Sequence, residues 1–206
     1  MDKKGITLTE LIVASILIGI VMIGVAAFSA SIEQLHTSTN RSTILTMKTT
    51  ATMNHITRAA YLAVGDETDR GIIDRAIPPR NSICFRHDTN DPSSYVSIDN
   101  GGDDTWTCYY FDILSSLLYL CTVPMAEADV PPNNAVKCDG TGTRRLLLTL
   151  DPAQGTFYQI IENSDGRLES IQFTLSAIFD PTLAPHPITN PTYTATTQVS
   201  PPGHSR

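Results

Sequence analysis

The chain lacks the sequence features that mark most enzymes and nucleic-acid-binding proteins. It has no His-Glu-x-x-His, no Gly-x-Ser-x-Gly and no phosphate-binding glycine loop, and its five histidines are scattered, so the sequence gives no support for catalysis. Lys and Arg total 14 against 21 Asp and Glu, a formal net charge of −7 that argues against direct nucleic-acid binding. We therefore expect a non-enzymatic protein with no cofactor.

Charge is also absent from the 22 residues between Glu10 and Glu33. A helix of that length is roughly 33 Å long, which matches a hydrocarbon core of about 30 Å. Small residues at 26–31 resemble a secretory cleavage site, but the apolar run before them is longer than the roughly 7–15 residues of a signal sequence. Because Lys3 and Lys4 precede the run, we expect a single membrane span with an exported head.

Proline is absent from Ile6 to Val64, which predicts one long helix over that range. Its first part, residues 6–32, is apolar, and its second part, residues 33–65, is amphipathic. One face of the second part carries apolar or small residues in steps of three or four, at Leu45, Thr49, Met53, Ile56, Ala60 and Val64. We expect the helix to end near Gly65-Asp66 and this face to pack on a domain.

The rest of the chain predicts a β-rich head, residues 66–180, after a polar stretch over residues 66–82. Asn163-Ser164-Asp165-Gly166 between two apolar runs predicts a hairpin. Residues 181–206 are rich in Pro and Thr and form a separate C-terminal segment, in which only Tyr193–Val199 could be an edge strand. The fold class is α+β, with the helix packed on an antiparallel β-sheet. The expected strands are Ile83–Arg86, Thr105–Asp112, Leu117–Val123, Arg144–Leu150, Thr156–Glu162 and Arg167–Phe179.

The four cysteines all lie in the part expected to be exported, where an even number indicates disulfides. Three pairings are possible. We favour Cys84 with Cys108 and Cys121 with Cys138, because near neighbours in the chain would join adjacent strands. The spacings are too wide for the Cys-x-x-Cys pairs of a structural zinc site.

Two other groups of residues have a functional and a structural interpretation. Asp99, Asp103 and Asp104 form an oxygen-rich loop that could bind calcium, although the spacing follows no known calcium loop and a solvated acidic loop is the simpler interpretation. Trp106, in a run of aromatic residues, could belong to a binding surface, but alternating aromatics in a strand more often form a core. We expect no bound metal.

Glu10 stands out because it is a carboxylate at the start of a membrane helix, where an ionisable group suggests a paired role. A simpler explanation is that it favours the positive end of the helix dipole. The sequence from Gly5 to Ala14, with the lysines before it and the apolar run after it, resembles the cleavage and methylation signal of type IV pilins and of the pseudopilins of type II secretion. The resemblance covers roughly the first 30 residues.

The resemblance implies a leader, residues 1–5, that a prepilin peptidase removes after Gly5, followed by methylation of the new N-terminal Ile6. It implies that Glu10 neutralises the Ile6 amine of a neighbouring subunit during assembly. The family most often has Phe where this chain has Ile6 and an aliphatic residue where it has Thr9. Major pilins often carry a proline at the place of Ala27, so the chain most resembles a minor pilin or minor pseudopilin.

The expected partners are the prepilin peptidase, other pilin or pseudopilin subunits, the inner-membrane assembly platform and membrane lipid. The subunit would be a single-pass inner-membrane protein with an exported head, and then part of a pilus or periplasmic pseudopilus. We expect a minor pilin of a type IV pilus-like filament. The alternatives are a minor pseudopilin of type II secretion and, from another class, an enzyme or binding domain anchored by an uncleaved helix.

Overall fold

The computed structural model describes residues 7–65, 71–77, 80–87, 105–124 and 143–201. These residues form one helix and eight strands. Their bounds are α1 Leu8–Tyr61, β1 Ile72–Ile77, β2 Arg80–His87, β3 Thr105–Asp112, β4 Leu117–Pro124, β5 Thr143–Thr149, β6 Tyr158–Glu162, β7 Leu168–Ile178 and β8 Thr192–Val199. The α+β class predicted from the sequence is confirmed.

Helix α1 is continuous over 54 residues, as the absence of proline predicts. It ends at Tyr61, earlier than the glycine near which the sequence predicts its end. The reason lies in the next residues, because the Val64 N–H donates to the Arg86 carbonyl of β2 at 3.0 Å. The chain therefore leaves the helix to pair with a strand before it reaches Gly65.

The amphipathic face predicted for the second half of α1 is confirmed. Each of its six residues is buried, with Thr49, Ile56 and Ala60 fully enclosed. They pack against aromatic and aliphatic side chains from both sheets, among them Phe85, Tyr109, Phe111, Phe157, Phe173 and Leu175. Side chains from Thr7 to Thr37 are all exposed. The helix therefore has a buried half inside the head and a free half that extends from it.

Strands β1 to β5 form an antiparallel sheet in the order of the chain. Strand β1 lies where the sequence predicts only a polar stretch, so that prediction was wrong. Ile72 is opposite Phe85 of β2 and is 6% exposed, and β1 is an edge strand of the sheet. Pairing with β2 thus makes a strand of a sequence with little apolar periodicity.

Strands β6 to β8 form a second antiparallel sheet, in the order β6-β7-β8. The head therefore contains two sheets around the helix. The predicted hairpin joins β6 to β7. The side chain of Asn163 accepts hydrogen bonds from the backbone N–H groups of Asp165 and Arg167 at 3.0 and 2.9 Å, and Gly166 has φ +73°. A left-handed residue closes this turn, and glycine adopts that conformation without a steric cost.

The Pro/Thr-rich C-terminal segment is part of the head over residues 181–201. Strand β8 pairs along β7, from Ile171 opposite Val199 to Ile178 opposite Thr192, and occupies an edge of the second sheet as the sequence predicts. It also packs along α1. The prolines lie on either side of the strand, where no ladder hydrogen bond needs their missing N–H.

The chain leaving α1 passes very close to the chain entering β1. A Cβ on Gly71 would lie 1.5 Å from the Val64 carbonyl oxygen, and the Gly71 carbonyl accepts from the Arg86 N–H at 2.8 Å. The Val64 N–H in turn donates a hydrogen bond to the Arg86 carbonyl. The junction between helix and sheet therefore requires a residue without a side chain at position 71.

We predict that Gly71→Ala lowers the free energy of unfolding by about 3 kcal/mol, because a methyl group cannot share this space with a hydrogen-bonded backbone. The matched control is Gly155→Ala, where a Cβ would meet no atom within 4 Å and the change should stay within about 1 kcal/mol. Urea unfolding of the purified chain in detergent, followed through the buried Trp106, measures both. Equal midpoints for the two variants would contradict the predicted clash.

Candidate functional site

The helix starts with a capping box between Thr7 and Glu10. The Thr7 hydroxyl accepts from the Glu10 backbone N–H at 3.4 Å, and the Thr7 backbone N–H donates to Glu10 Oε2 at 2.9 Å. The same hydroxyl donates to Oε2 at 2.8 Å. The pair satisfies two backbone donors that a helix start otherwise leaves without partners. Gly5 and Ile6, the predicted cleavage and methylation residues, lie outside the described residues.

Both donors from Thr7 bind the same oxygen of the Glu10 carboxylate. Among the residues that the structure describes, none donates to the other oxygen, Oε1, and the side chain is exposed. A carboxylate has acceptor sites on both of its oxygens. Glu10 can therefore receive a further cation at Oε1 while the cap remains intact.

The helix after the cap presents an apolar surface in which two serine hydroxyls bond back to the helix. Ser15 donates to the Ile12 carbonyl at 2.8 Å and Ser31 donates to the Ala27 carbonyl at 2.9 Å. Hydroxyls that bond back to the helix can enter an apolar medium at low cost. The large apolar side chains between 8 and 32 are about half exposed or more. This helix is long and apolar enough to cross a membrane.

Small residues interrupt this surface. A Cβ on Gly19 or Gly24 would meet no atom within 4 Å, so within a single chain neither glycine is required for packing. Glycines on an apolar helix surface allow another helix to approach closely. They therefore suit a surface that contacts other helices rather than the head of the same chain.

A hydrogen-bonded pair joins the buried half of α1 to the first sheet. Tyr109 of β3 is fully buried, and its hydroxyl lies 2.5 Å from His55 Nδ1 and donates to the His55 carbonyl at 3.2 Å. Burial raises the pKa of Tyr109, so the phenol stays protonated. The ring also packs edge-on against Phe85. The sequence does not predict this pair, because nothing in either segment indicates the other.

Two histidines near this junction have pKa values below the ordinary value for histidine. The pKa of His55 is lowered by burial and then by the positive charges of Arg145 and Arg58. The pKa of His87, at the end of β2, is lowered by burial, while a hydrogen bond to the Leu62 backbone opposes the shift. Both histidines lie beside the end of the helix, so their charge state is tied to how α1 joins the head.

The disulfide Cys84–Cys108 joins β2 to β3 and corresponds to the first of the two favoured pairs. Cys121 of β4 lies opposite Cys108 in the sheet and is also disulfide-bonded. Cys138 lies outside the described residues. Trp106 is 4% exposed and packs beside Cys108 and Cys121, which places it in a core and not on a binding surface.

The predicted acidic loop with Asp99, Asp103 and Asp104 lies outside the described residues. Within the ranges that the structure describes, no group of three or more His, Cys, Asp or Glu side chains could hold a metal ion. The calcium prediction concerns residues outside these ranges and stays a prediction.

One functional pairing was missed although the sequence carries its signal. A Thr followed three residues later by Glu, directly before an apolar run, is the pattern of a capping box. Thr7 and Glu10 have this spacing, and the structure shows both of the reciprocal contacts. The role of Thr7 could therefore have been predicted with that of Glu10.

The comparisons with known proteins identify the N-terminal segment. The family model described as the prokaryotic N-terminal methylation motif matches residues 1–26, and this motif is the signature of type IV pilins and pseudopilins. The match covers 26 of 206 residues. No curated protein and no solved structure matches the chain. The motif therefore identifies the helix start, and what the head does has to be argued from its own structure.

We predict that the head loses stability as the pH falls below about 6.5, the ordinary pKa of histidine. His55 and His87 have lowered pKa values in the folded state, so the unfolded chain binds more protons in this range. Stability therefore rises with pH, is complete above the unfolded pKa and is lost as the pH falls through the folded values.

Urea midpoints at about pH 7.5 and about pH 5.5 test this for the wild type and for His55→Gln/His87→Gln, in which the difference should shrink. His36→Gln, a change at an exposed helix position, is the control and should keep the wild-type difference. A double variant with an undiminished pH dependence would show that other groups cause it.

Proposed function

We propose that this protein is a minor pilin-like subunit of a type IV pilus-like filament, cut after Gly5, methylated at Ile6 and assembled through its N-terminal helix. The observation that carries the proposal is the combination of two features in one segment. The methylation motif covers residues 1–26, and the helix that it begins keeps its side chains exposed until Thr37. A segment that is apolar, fully exposed and preceded by a processing signal requires an apolar partner outside its own chain.

The first of these partners is the membrane. The apolar run spans the inner membrane as a single helix, with the lysines of the leader in the cytoplasm and the head exported. The prepilin peptidase then removes the leader at the cytoplasmic face. The disulfide Cys84–Cys108 in the head suits an oxidising compartment beyond that membrane.

The second partner is the helix of another subunit. With the assistance of an inner-membrane assembly platform, apolar helices leave the lipid and bundle in the filament. Gly19 and Gly24 allow the close approach that such a bundle needs. The head stays outside the bundle, since it attaches to α1 only from Ser38 onward.

Glu10 sets the position of each subunit in this bundle. Cleavage produces a free amine on Ile6, and Oε1 of Glu10 in a neighbouring subunit can accept it while Oε2 remains bonded to Thr7. In an apolar surrounding such a pair adds little net stability, because desolvation offsets much of the attraction. It does make any other register costly, since an unpaired charge would then remain in the bundle.

A minor pseudopilin of type II secretion is the second candidate, and the unbroken helix favours it equally. Helix α1 passes through Ala27 without a kink-forming proline. The two candidates differ in the machinery that they require. Deleting the pilus assembly platform in the native host should abolish assembly of a pilin, whereas deleting the secretion platform should abolish assembly of a pseudopilin.

We predict that the mature protein begins at Ile6 with a methylated amine. N-terminal sequencing and intact mass of the protein from the native host would show this, and Gly5→Arg should leave the uncut precursor in the membrane because the peptidase reads the glycine. Lys4→Arg preserves the charge of the leader and serves as the control that should still be cut. Assembled material that retains Met1 would contradict the proposal.

We predict that Glu10→Gln leaves the leader cut and the head folded but reduces incorporation into the filament. The amide keeps the size of the side chain and can still accept from Thr7, but it cannot neutralise the Ile6 amine. The measurement is the ratio of sheared filament to membrane-held mature protein in the native host. The head should be unaffected, because Glu10 lies far along α1 from Leu45, the first helix residue of the core.

Thr7→Val is the matched variant that separates the two roles of Glu10. It removes the hydroxyl of the cap, at a cost of about 1 kcal/mol to the helix start, and keeps the carboxylate. If Glu10 pairs with a neighbouring amine, Thr7→Val assembles far better than Glu10→Gln. Glu10→Gln that assembles like the wild type, or no worse than Thr7→Val, would show that the charge of Glu10 has no role in assembly and that the residue acts only as a helix cap.

A further inference from the structure

The loop of residues 180–190, between β7 and β8, has a fixed shape that Asn190 maintains. Asn190 is 1% exposed, and its side-chain N–H groups donate to the Asp180 and Leu183 carbonyls at 2.8 Å and to that of Ala184 at 3.3 Å. Its side-chain oxygen accepts from the Asp180 N–H at 2.8 Å, and its backbone exchanges two hydrogen bonds with His186 at 2.9 Å. The outer residues of the loop are thus held by a buried centre.

The loop is also fastened to a defined level of α1. Arg41 donates to the Thr189 carbonyl at 2.6 Å, and its guanidinium lies 5.0 Å from the centre of the Phe179 ring. Ser38 donates to the Pro187 carbonyl at 3.5 Å. A cleft of about 540 Å³ between loop and helix is lined by Ala30, Glu33, Gln34, Thr37, Arg41, His186, Ile188 and Thr189. The loop therefore descends along the helix from Arg41 toward Ala30.

The loop is attached to α1 just beyond the end of the apolar run, and the cleft between them reaches back to that end at Ala30 and Glu33. Ile32 is the last residue of the run and Ser38 is six residues further on, about 9 Å along the axis at 1.5 Å per residue. The headgroup layer on each side of a bilayer is on the order of 5–8 Å thick. With the run centred in the hydrocarbon, the outer residues of the loop lie at the height of the lipid headgroups.

The amino-acid composition of the loop suits a position in the lipid headgroup layer. Leu183 and Ile188 are 53% and 51% exposed, and Ile188 lines the cleft opposite Ala30 near the end of the apolar run. Residues 181–189 contain no Asp, Glu, Lys or Arg, and three of the nine are proline. A proline has no N–H that would lose its water partner at an apolar boundary. Exposed apolar side chains at the height of the headgroups, with charged groups such as Arg41 on the side away from the acyl chains, are the arrangement of an interfacial lipid contact.

We propose that residues 180–190 form a membrane-interface contact, in which Leu183 and Ile188 enter the boundary between lipid headgroups and acyl chains while the subunit is in the bilayer. Through this loop the head contacts the membrane surface at a second place, in addition to the helix. It rests on the proposed function in one respect, since the run from Leu11 to Ile32 must span the membrane. Extraction into a filament then has to release the loop as well as the helix.

Spin labels on the full chain, reconstituted as one copy per nanodisc of phosphatidylethanolamine and phosphatidylglycerol, test this proposal. The described cysteines are all disulfide-bonded, so an introduced cysteine can be labelled selectively. Labels at position 188 (Ile188→Cys), in the span (Val21→Cys) and at the distal turn (Ser164→Cys) are compared by their accessibility to oxygen and to a water-soluble nickel chelate. The distal turn follows β6 at the other end of β7, about 33 Å from Ile178 for its ten residue steps.

We expect the oxygen-to-nickel accessibility ratio at position 188 to be several-fold higher than at position 164 and lower than at position 21. A ratio at 188 equal to that at 164, with position 21 in the hydrocarbon, would overturn the loop contact and leave the proposed function standing. An aqueous position 21 would overturn both. A position 188 shielded from both reagents would show that protein covers the loop, which would also overturn lipid as its partner.

A second label separates the role of the apolar side chains from that of loop position. Ala184 is exposed, and a label on Ala184→Cys reports the depth of the loop with Leu183 and Ile188 in place. Leu183→Ser/Ile188→Ser should lower its oxygen-to-nickel ratio to the value at position 164. An unchanged ratio would show that these side chains do not hold the loop at the membrane.

Discussion

A helix in an apolar medium must form its backbone hydrogen bonds within itself, and α1 is an unbroken helix of 54 residues. The capping box of Thr7 and Glu10 satisfies donors at its start, the hydroxyls of Ser15 and Ser31 bond back to it, and no proline interrupts it. After its other end the chain passes into the first sheet, where the Val64 N–H donates to the Arg86 carbonyl. Both sheets pack on the second half of the helix, which therefore joins them in one core.

The features that the sequence predicts well are those that depend on local pattern. The span, the buried face from Leu45 to Val64 and the turn ending at Gly166 each follow from periodicity or from the conformational preference of a few neighbouring residues. Strand β1 was missed because Ile72 becomes part of the core only by pairing with Phe85. The division into two sheets, and the inclusion of residues 181–201 in the head, likewise depend on contacts between distant segments.

The functional residues likewise divide into those that the sequence predicts and those that it misses. The residues around Gly5 and Glu10 carry a local signal that both the sequence analysis and the family comparison detect. The contacts that attach the helix to the head carry no local signal, because His55 and Tyr109 are 54 residues apart in the chain and Arg41 and Thr189 are 148 apart. A fully buried Tyr109 looks like an ordinary core aromatic until the structure shows its hydroxyl at the helix.

The packing of β8 along α1 determines how the head resists mechanical tension. In the proposed filament, load would reach each subunit through α1, and β8 and β7 are antiparallel strands that contact this helix. The load would then be shared among the contacts of α1 with both strands and the hydrogen bond from Arg41 to Thr189, instead of passing through one contact. Contacts that share a load need a larger force to break than contacts that separate one after another. The buried half of α1 thus serves as the mechanical anchor of the head as well as the centre of its core.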